Sequence, residues 1–257
     1  MEYIIIAITS LLGAGLTLFS GFGLGTLLLP VFGLFFPIEI AVVLTAIVHF
    51  TNNLFKLILF GKKADQKTTL KFGIPAICFS FLGAYLLKNL TTASPLFTYT
   101  LLNKHFEITI LKIVMGSLLL FFALFDTIPS LKNLKFNKKY LSLGGILSGF
   151  FGGLSGHQGA LRAAFLVRSG LSKESFIATG VLIACLVDIS RLSLYIPKIL
   201  NNQITINLPL LLTATFSAFV GVYFGNKILQ KTTFRIVQNL VTVALFLYGV
   251  LMIFGLI

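Results

Sequence analysis

Apolar residues run in blocks of about 20 along nearly the whole chain, with short polar breaks between them. The blocks cover 38–60, 72–90, 108–125, 175–197, 208–226 and 236–257. Each is long enough to cross a hydrocarbon core of ~30 Å as an α-helix. Strand-like alternation is missing from these blocks, which argues against a β-barrel. Two further apolar segments, 3–36 and 140–168, are interrupted by glycine. The first carries SGFGLGT at 20–26 and then Pro30; the second carries SGHQG at 155–159. A straight helix over 3–36 would be about 51 Å long, too long for one crossing. The legs of 140–168, about 10 residues each, reach only half-way across. Both segments are therefore expected to enter the membrane, break at the glycines and return. Glycine tolerates the reversal, and Pro30 resists a continuous helix.

The pattern occurs twice. Glu39 aligns with Glu174, and the same offset of 135 aligns Asn53 with Asp188 and Lys56 with Arg191. KFGIPAICFSFLGAYLL resembles INLPLLLTATFSAFVGVYF, and LKIVMGSLLLFFALF resembles FRIVQNLVTVALFLYG. The expected organisation is a first repeat over 1–128, a basic linker over 129–138 and a second repeat over 139–257.

Charge sets the orientation. With each broken segment counted as a returning pair of legs, the loops 61–71, 126–139, 168–173 and 227–235 fall on one side with thirteen basic residues. The other side keeps Lys88, Lys104 and Lys198. That asymmetry places the basic loops in the cytoplasm and both termini outside. With four plain crossings per half the bias vanishes. The expected fold is thus all-α and polytopic: two inverted repeats, each with one broken or re-entrant helix pair plus three full crossings.

The chain has 257 residues, 57% of them hydrophobic and 11% charged, with a formal net charge of +13. Its mean hydropathy is +1.00. In a soluble protein such a charge would suggest nucleic acid; here the lysines sit in loops between spans and serve orientation, so no nucleic-acid partner is expected. Cys78 and Cys185 both fall inside spans and read as packing residues. Tyr3, Tyr85, Tyr99, Tyr140, Tyr195 and Tyr223 fall near span ends and suit an interfacial belt. No dinucleotide fingerprint in a βαβ context, CxxC, HExxH or Ser-His-Asp set occurs, so neither an enzyme nor a cofactor or metal is expected.

Discontinuous helices in corresponding places of two inverted halves point to a transporter's binding site. Their N-termini carry free N–H groups and the positive end of a dipole, which suit an anion. The candidate substrate-binding residues are Gly21, Gly23, Gly25 and Thr26 in the first break, and Ser155, Gly156, His157, Gln158 and Gly159 in the second. Ionisable groups within spans are costly and so are candidates as well. Arg162, one turn past the second break, offers a positive charge to an anion, or pairs with Asp188. Arg191 lies at i+3 from Asp188, on one helix face. Asn53 and Lys56 occupy the matching places in the first half. His157 and Asp188 are candidates for carrying a coupling proton; sodium is the alternative coupling ion. His49, Thr51 and Asn52 read as interhelical bonding, with cavity lining as the alternative. A homo-oligomer is compatible with this pattern.

The paired halves, the opening motif Gly21-Gly23-Gly25-Pro30 and the GGLSGHQGAL cluster resemble the TauE/SafE family of sulfite exporters, over nearly the whole chain. The resemblance implies a bacterial inner-membrane permease for small sulfur oxyanions or organosulfonates, such as sulfite. His157 and Gln158 stand where that family usually has glycines, and Ala164 where it often has proline. The leading expectation is a secondary transporter for a small anion working by alternating access. The alternatives are a passive anion channel and a non-transporting membrane scaffold.

Overall fold

The computed structural model describes residues 1–20, 23–132, 134–202, 204–228 and 235–257. The helices are α1 (Glu2–Ser20), α2 (Leu24–Gly33), α3 (Ile38–Phe60), α4 (Gln66–Leu90), α5 (Ile110–Thr127), α6 (Pro129–Lys132), α7 (Leu141–Ser155), α8 (Gly159–Leu166), α9 (Lys173–Leu200), α10 (Leu208–Ile228) and α11 (Arg235–Ile253). Among the described residues, four helical stretches are long and apolar enough to cross a membrane: 38–63, 66–90, 173–200 and 208–225. Helices α5 and α11, with 18 and 19 residues, are about 27–28 Å long, close to the thickness of the hydrocarbon core. The expected blocks and the observed helices differ only at their ends.

Both interrupted segments are helix pairs broken at the glycines. Helix α2 folds back along α1, placing the side chains of Leu24 and Leu27 against Gly13. Helix α8 folds back along α7, with Phe165 against Gly144 and Gln158 against Gly152. The legs are unequal: α7 has 15 residues and α8 has 8. The second reversal is made at Gly156, whose φ of 81° lies in the left-handed region that favours glycine.

One expectation needs correction: the chain is not entirely α-helical. Residues 97–108, FTYTLLNKHFEI, form an antiparallel hairpin of β1 (Phe97–Leu101) and β2 (Lys104–Ile108). The segment alternates apolar and polar residues with a period of two, a signal easily overlooked between two long apolar blocks.

The chain forms two compact units, and each draws on both halves of the sequence. The first unit contains residues 1–84 and 134–233. Within it, α3 and α9 pack antiparallel: Glu39 at the start of α3 pairs with Lys198 near the end of α9 at 2.5 Å, and Glu174 at the start of α9 pairs with Lys63 just beyond α3. Helix α7 runs parallel to α4 with its backbone almost touching. Gly145, Gly149 and Gly153 face the carbonyls of Phe72, Ala76 and Ser80, and a Cβ on them would stand 2.2, 2.3 and 2.0 Å from those oxygens. Helices α1 and α10 repeat this arrangement, with Gly221 against the carbonyl of Leu11 and Gly225 against Gly15. Small residues at such crossings let helices gain van der Waals contact where no hydrophobic drive exists. Most glycines of the second cluster therefore serve packing.

Side chains from α4, α7, α8 and α9 (Phe72, Leu141, Phe165, Ile183 and Val187) close a core around this crossing. Phe136 from the basic linker stacks on Phe165 at 4.2 Å. Asp65 caps α4 by accepting the Thr68 N–H at 2.8 Å. Hydrogen bonds from the Thr68 side chain and backbone hold its carboxyl below the usual range. Tyr195 is fully buried, so it does not belong to an interfacial belt. In the second unit, α5 and α11 pack antiparallel through Gly116 and Gly249, each against the other's carbonyl.

The α4–α7 contact gives a test. In Gly153→Ala the new methyl meets a backbone carbonyl that has nowhere to go, and overpacking of this kind costs about 1–3 kcal/mol. Thermal unfolding in detergent should show a lowered Tm for Gly153→Ala. Gly180→Ala, whose Cβ would find its nearest neighbour at 3.5 Å, should melt like the parent. Equal melting of all three proteins would refute the close approach.

Candidate functional site

Helix α3 carries His49, Asn53 and Lys56 at i, i+4 and i+7, hence on one face. That face looks into a cavity of about 60 Å³ inside the first unit. The opposite wall is Gly159, Arg162, Ala163 and Leu166 of α8, and α9 adds Phe176, Ile177, Gly180 and Val181. Thr17 and the Gly23–Leu24 start of α2 complete it. A water needs about 10–15 Å³ of such space, so the cavity has room for about four or five water-sized bodies.

Two helix N-termini meet here. A Cβ on Gly23 would stand 3.9 Å from the Gly159 nitrogen and 3.7 Å from His49 Nε2. One on Gly25 would stand 3.4 Å from the Gly156 carbonyl oxygen. The breaks before α2 and α8 thus touch, although more than 130 residues separate them in sequence. The first N–H groups of any helix lack intrahelical partners, so both helices direct unpaired donors and positive dipole ends toward this place.

Behind the cavity wall lies Asp188, fully buried. Its Oδ2 lies 2.6 Å from His49 Nδ1 and accepts from Asn53 Nδ2 at 3.4 Å. Its Oδ1 accepts from Arg191 Nε at 3.0 Å and from Gln158 Nε2 at 3.5 Å, and lies 2.8 Å from Arg191 Nη2. Gln158 Oε1 in turn accepts from Arg162 Nη1 at 3.0 Å. A continuous polar chain therefore leads from Arg162 through Gln158 and Asp188 to His49.

Charge in this region is unbalanced. Lys56, Arg162 and Arg191 are buried or partly buried cations, and Asp188 is the carboxylate among them. Among the described residues, no carboxylate lines the cavity. Arg191 spends its charge on Asp188, whereas Lys56 makes no hydrogen bond or ion pair among the described residues while only 5% exposed. Two cations facing a small cavity are costly unless an anion or water answers them.

Of the residues singled out in the sequence, Gly23, Asn53, Lys56, Gly159 and Arg162 line the cavity. Gly25, Thr26, Ser155, Gly156, His157 and Gln158 are buried around the two breaks without lining it. His157 Nδ1 sits 3.1 Å from the Ser155 carbonyl oxygen and 3.2 Å from its Oγ. Ser148 Oγ holds the Gln158 carbonyl at 3.1 Å. Arg191 lies behind the second break, 2.9 Å from the Cβ that Gly156 would carry. Gly21 lies outside the described residues.

His49, for which the sequence offers interhelical bonding or cavity lining, does both: it bonds to Asp188 across helices and lines the cavity. Its spacing to Asn53 and Lys56 was the signal available. Gly180 gave no signal, being one small residue in an apolar helix.

The family model described as sulfite exporter TauE/SafE matches residues 5–252. The chain belongs to that family. Among curated proteins, none matches it. TauE/SafE proteins are membrane transporters rather than enzymes, and the apolar helices fit a multi-pass membrane permease. Sulfite, the anion that gives the family its description, is a small oxyanion, and the cations of the cavity wall are of the sign to attract one.

The Asp188 network yields a prediction. Asp188→Asn keeps the shape but leaves Arg191 buried without its counter-charge, and breaking a buried pair costs about 3–5 kcal/mol. The variant should show a marked fall in Tm, and Asp188→Asn combined with Arg191→Leu should recover part of it. No recovery in the double variant would contradict the pairing.

Proposed function

We propose that the protein moves a small sulfur oxyanion, such as sulfite, across the cell membrane as a secondary transporter working by alternating access. One observation carries this reading: Lys56 and Arg162 face a cavity that no carboxylate lines among the described residues, where the N-termini of α2 and α8 converge. The cavity volume suits an ion of a few heavy atoms and favours sulfite over a sulfonate with an organic tail. Arg162 and Lys56 supply charge, Asn53 and the N–H groups around Gly23 and Gly159 supply hydrogen bonds, and Thr26, Gly25, Ser155 and Gly156 shape the breaks. Gly21 is proposed with them on the sequence motif alone.

Asp188 and His157 remain the proposed carriers of a coupling proton, and His49 joins them because its ring spans from Asp188 to the cavity. A proton on His49 would weaken with the loss of Asp188's charge, so the two act as a unit. Sodium remains the alternative coupling ion.

We also propose that the halves, 1–128 and 139–257, are inverted repeats with six full crossings, both termini outside and the basic loops in the cytoplasm of a bacterial inner membrane. Reciprocal contacts support this. The pair Glu39–Lys198 maps onto Glu174–Lys63 under the same offset of 135 that aligns Asn53 with Asp188. Helix α4 packs on α7 as α10 packs on α1, and α3 runs antiparallel to its counterpart α9.

The test is uptake of sulfite and of longer sulfonates into liposomes holding the purified protein, with and without a pH gradient. Accumulation driven by the gradient is expected, with sulfite preferred. One charged hydrogen bond is worth about 1.5–3 kcal/mol, so Arg162→Ala or Lys56→Ala should raise the half-saturating concentration about 10- to 100-fold. Lys56→Arg should retain more activity than Lys56→Ala. Gly180→Leu, which fills the cavity, should abolish flux while the protein still folds. Downhill flux without accumulation would replace the transporter by a channel. Absence of flux in the folded parent would remove the reading altogether.

A further inference from the structure

The β1–β2 hairpin presents one apolar face. Directly paired residues share a face, so Phe97, Ile108, Tyr99, Phe106, Leu101 and Lys104 lie together. The opposite face is Thr98, Glu107, Thr100 and His105. The base of the apolar face is covered: Tyr99 donates its hydroxyl to the Phe254 carbonyl at 2.5 Å, and the Gly255 backbone lies against Glu107 and Ile108. The tip is not: Leu101 is 50% exposed and Leu102, at the turn, 90%, and at the base Phe97 also stays open on one side.

Leu102 is out of place twice over. Its φ is 51°, and Asn103 follows at 61°, the pair of positive values that a two-residue hairpin turn of this hand requires. Asparagine or glycine accepts that conformation cheaply; leucine pays about 1–2 kcal/mol. Leucine also gains nothing by standing in water. A residue that is strained and exposed at once calls for a contact outside the chain.

Lys104 identifies the contact. It is the cross-strand neighbour of Leu101 on the apolar face, and that face holds no carboxylate. A second copy meeting this face with its own like face would bury the ammonium unpaired, at a cost of several kcal/mol. A membrane surface takes both groups: leucines enter the acyl boundary while lysine keeps its stem there and raises its charge to the phosphates. The stacked rings of Phe97, Tyr99 and Phe106, with centroids 6.3 and 5.4 Å apart, suit the headgroup level. The hairpin also sits where this demands, directly before α5 and against the chain just past the end of α11.

We propose that the hairpin tip, Leu101–Leu102 with Lys104, is a membrane-interface anchor that inserts between anionic lipid headgroups at the end of α5 and α11. The proposal is independent of what the cavity carries.

The protein contains no tryptophan, so one introduced residue reports alone. Leu102→Trp, Leu101→Trp and, on the polar face, Thr100→Trp would each be reconstituted as full-length protein. The vesicles would contain phosphatidylglycerol with lipids brominated near the headgroup or near the chain end. For the two leucine positions the expectation is blue-shifted emission, with quenching several-fold stronger from the shallow bromines. Thr100→Trp should stay solvent-like. Solvent-like emission at positions 101 and 102 would overturn the anchor. So would blue-shifted emission that no brominated lipid quenches, which would indicate a second copy of the chain. Quenching of Thr100→Trp equal to that of the leucine positions would overturn the assignment of the face.

Discussion

The carboxylate of Asp188 is the point on which the interior depends. It is fully buried, and its two oxygens gather His49 and Asn53 from α3, Gln158 from the break before α8, and Arg191 from its own helix. A buried charge tolerates little displacement of its partners, because each lost donor exposes the full cost of its desolvation. Three pieces of chain distant in sequence are thereby held to a common geometry. The cavity is the space left on the other side of those same side chains.

Glycine performs two distinct tasks within a few residues. At Gly156 it turns the backbone, and the turn sends α8 back toward the cavity. At Gly145, Gly149 and Gly153 it removes side chains so that α7 lies directly on the carbonyls of α4. The second task supports the first. A break in a membrane helix frees polar backbone groups, and these are tolerated only against protein or an aqueous cavity. Close packing of α7 supplies the protein, and the cavity receives the donors that remain.

The helices were legible because their signal is local: an apolar block of membrane length must be a helix in lipid. The breaks were legible for the same reason, since glycines disturb a period that is otherwise continuous; Pro30, expected to share in the first break, lies inside α2, which continues to Gly33. Arg162 could be assigned to the cavity because it stands one turn beyond Gly159. The bond between His49 and Asp188 could not be read, since it joins residues 139 apart and depends on α3 meeting α9. Gln158 looked like an anion ligand, and only the fold makes it a bridge between Arg162 and Asp188. The hairpin gives only a weak signal, because its alternation is short and lies between far stronger apolar blocks. The packing role of the α7 glycines is not legible, because sequence does not tell a turn from a close approach.

The crossed packing bears on how the chain is made. Helix α1 leaves the ribosome well before α10, its backbone contact, which follows some 200 residues later. Helix α4 likewise must await α7. During synthesis the first half therefore stands in the bilayer with the faces of α1 and α4 that later meet those glycines still turned to lipid or a chaperone. It cannot reach its final packing until the second half has inserted. Neither half of the sequence makes up a compact unit by itself. Two separately produced halves would have to find each other within the membrane before either acquired its native interior.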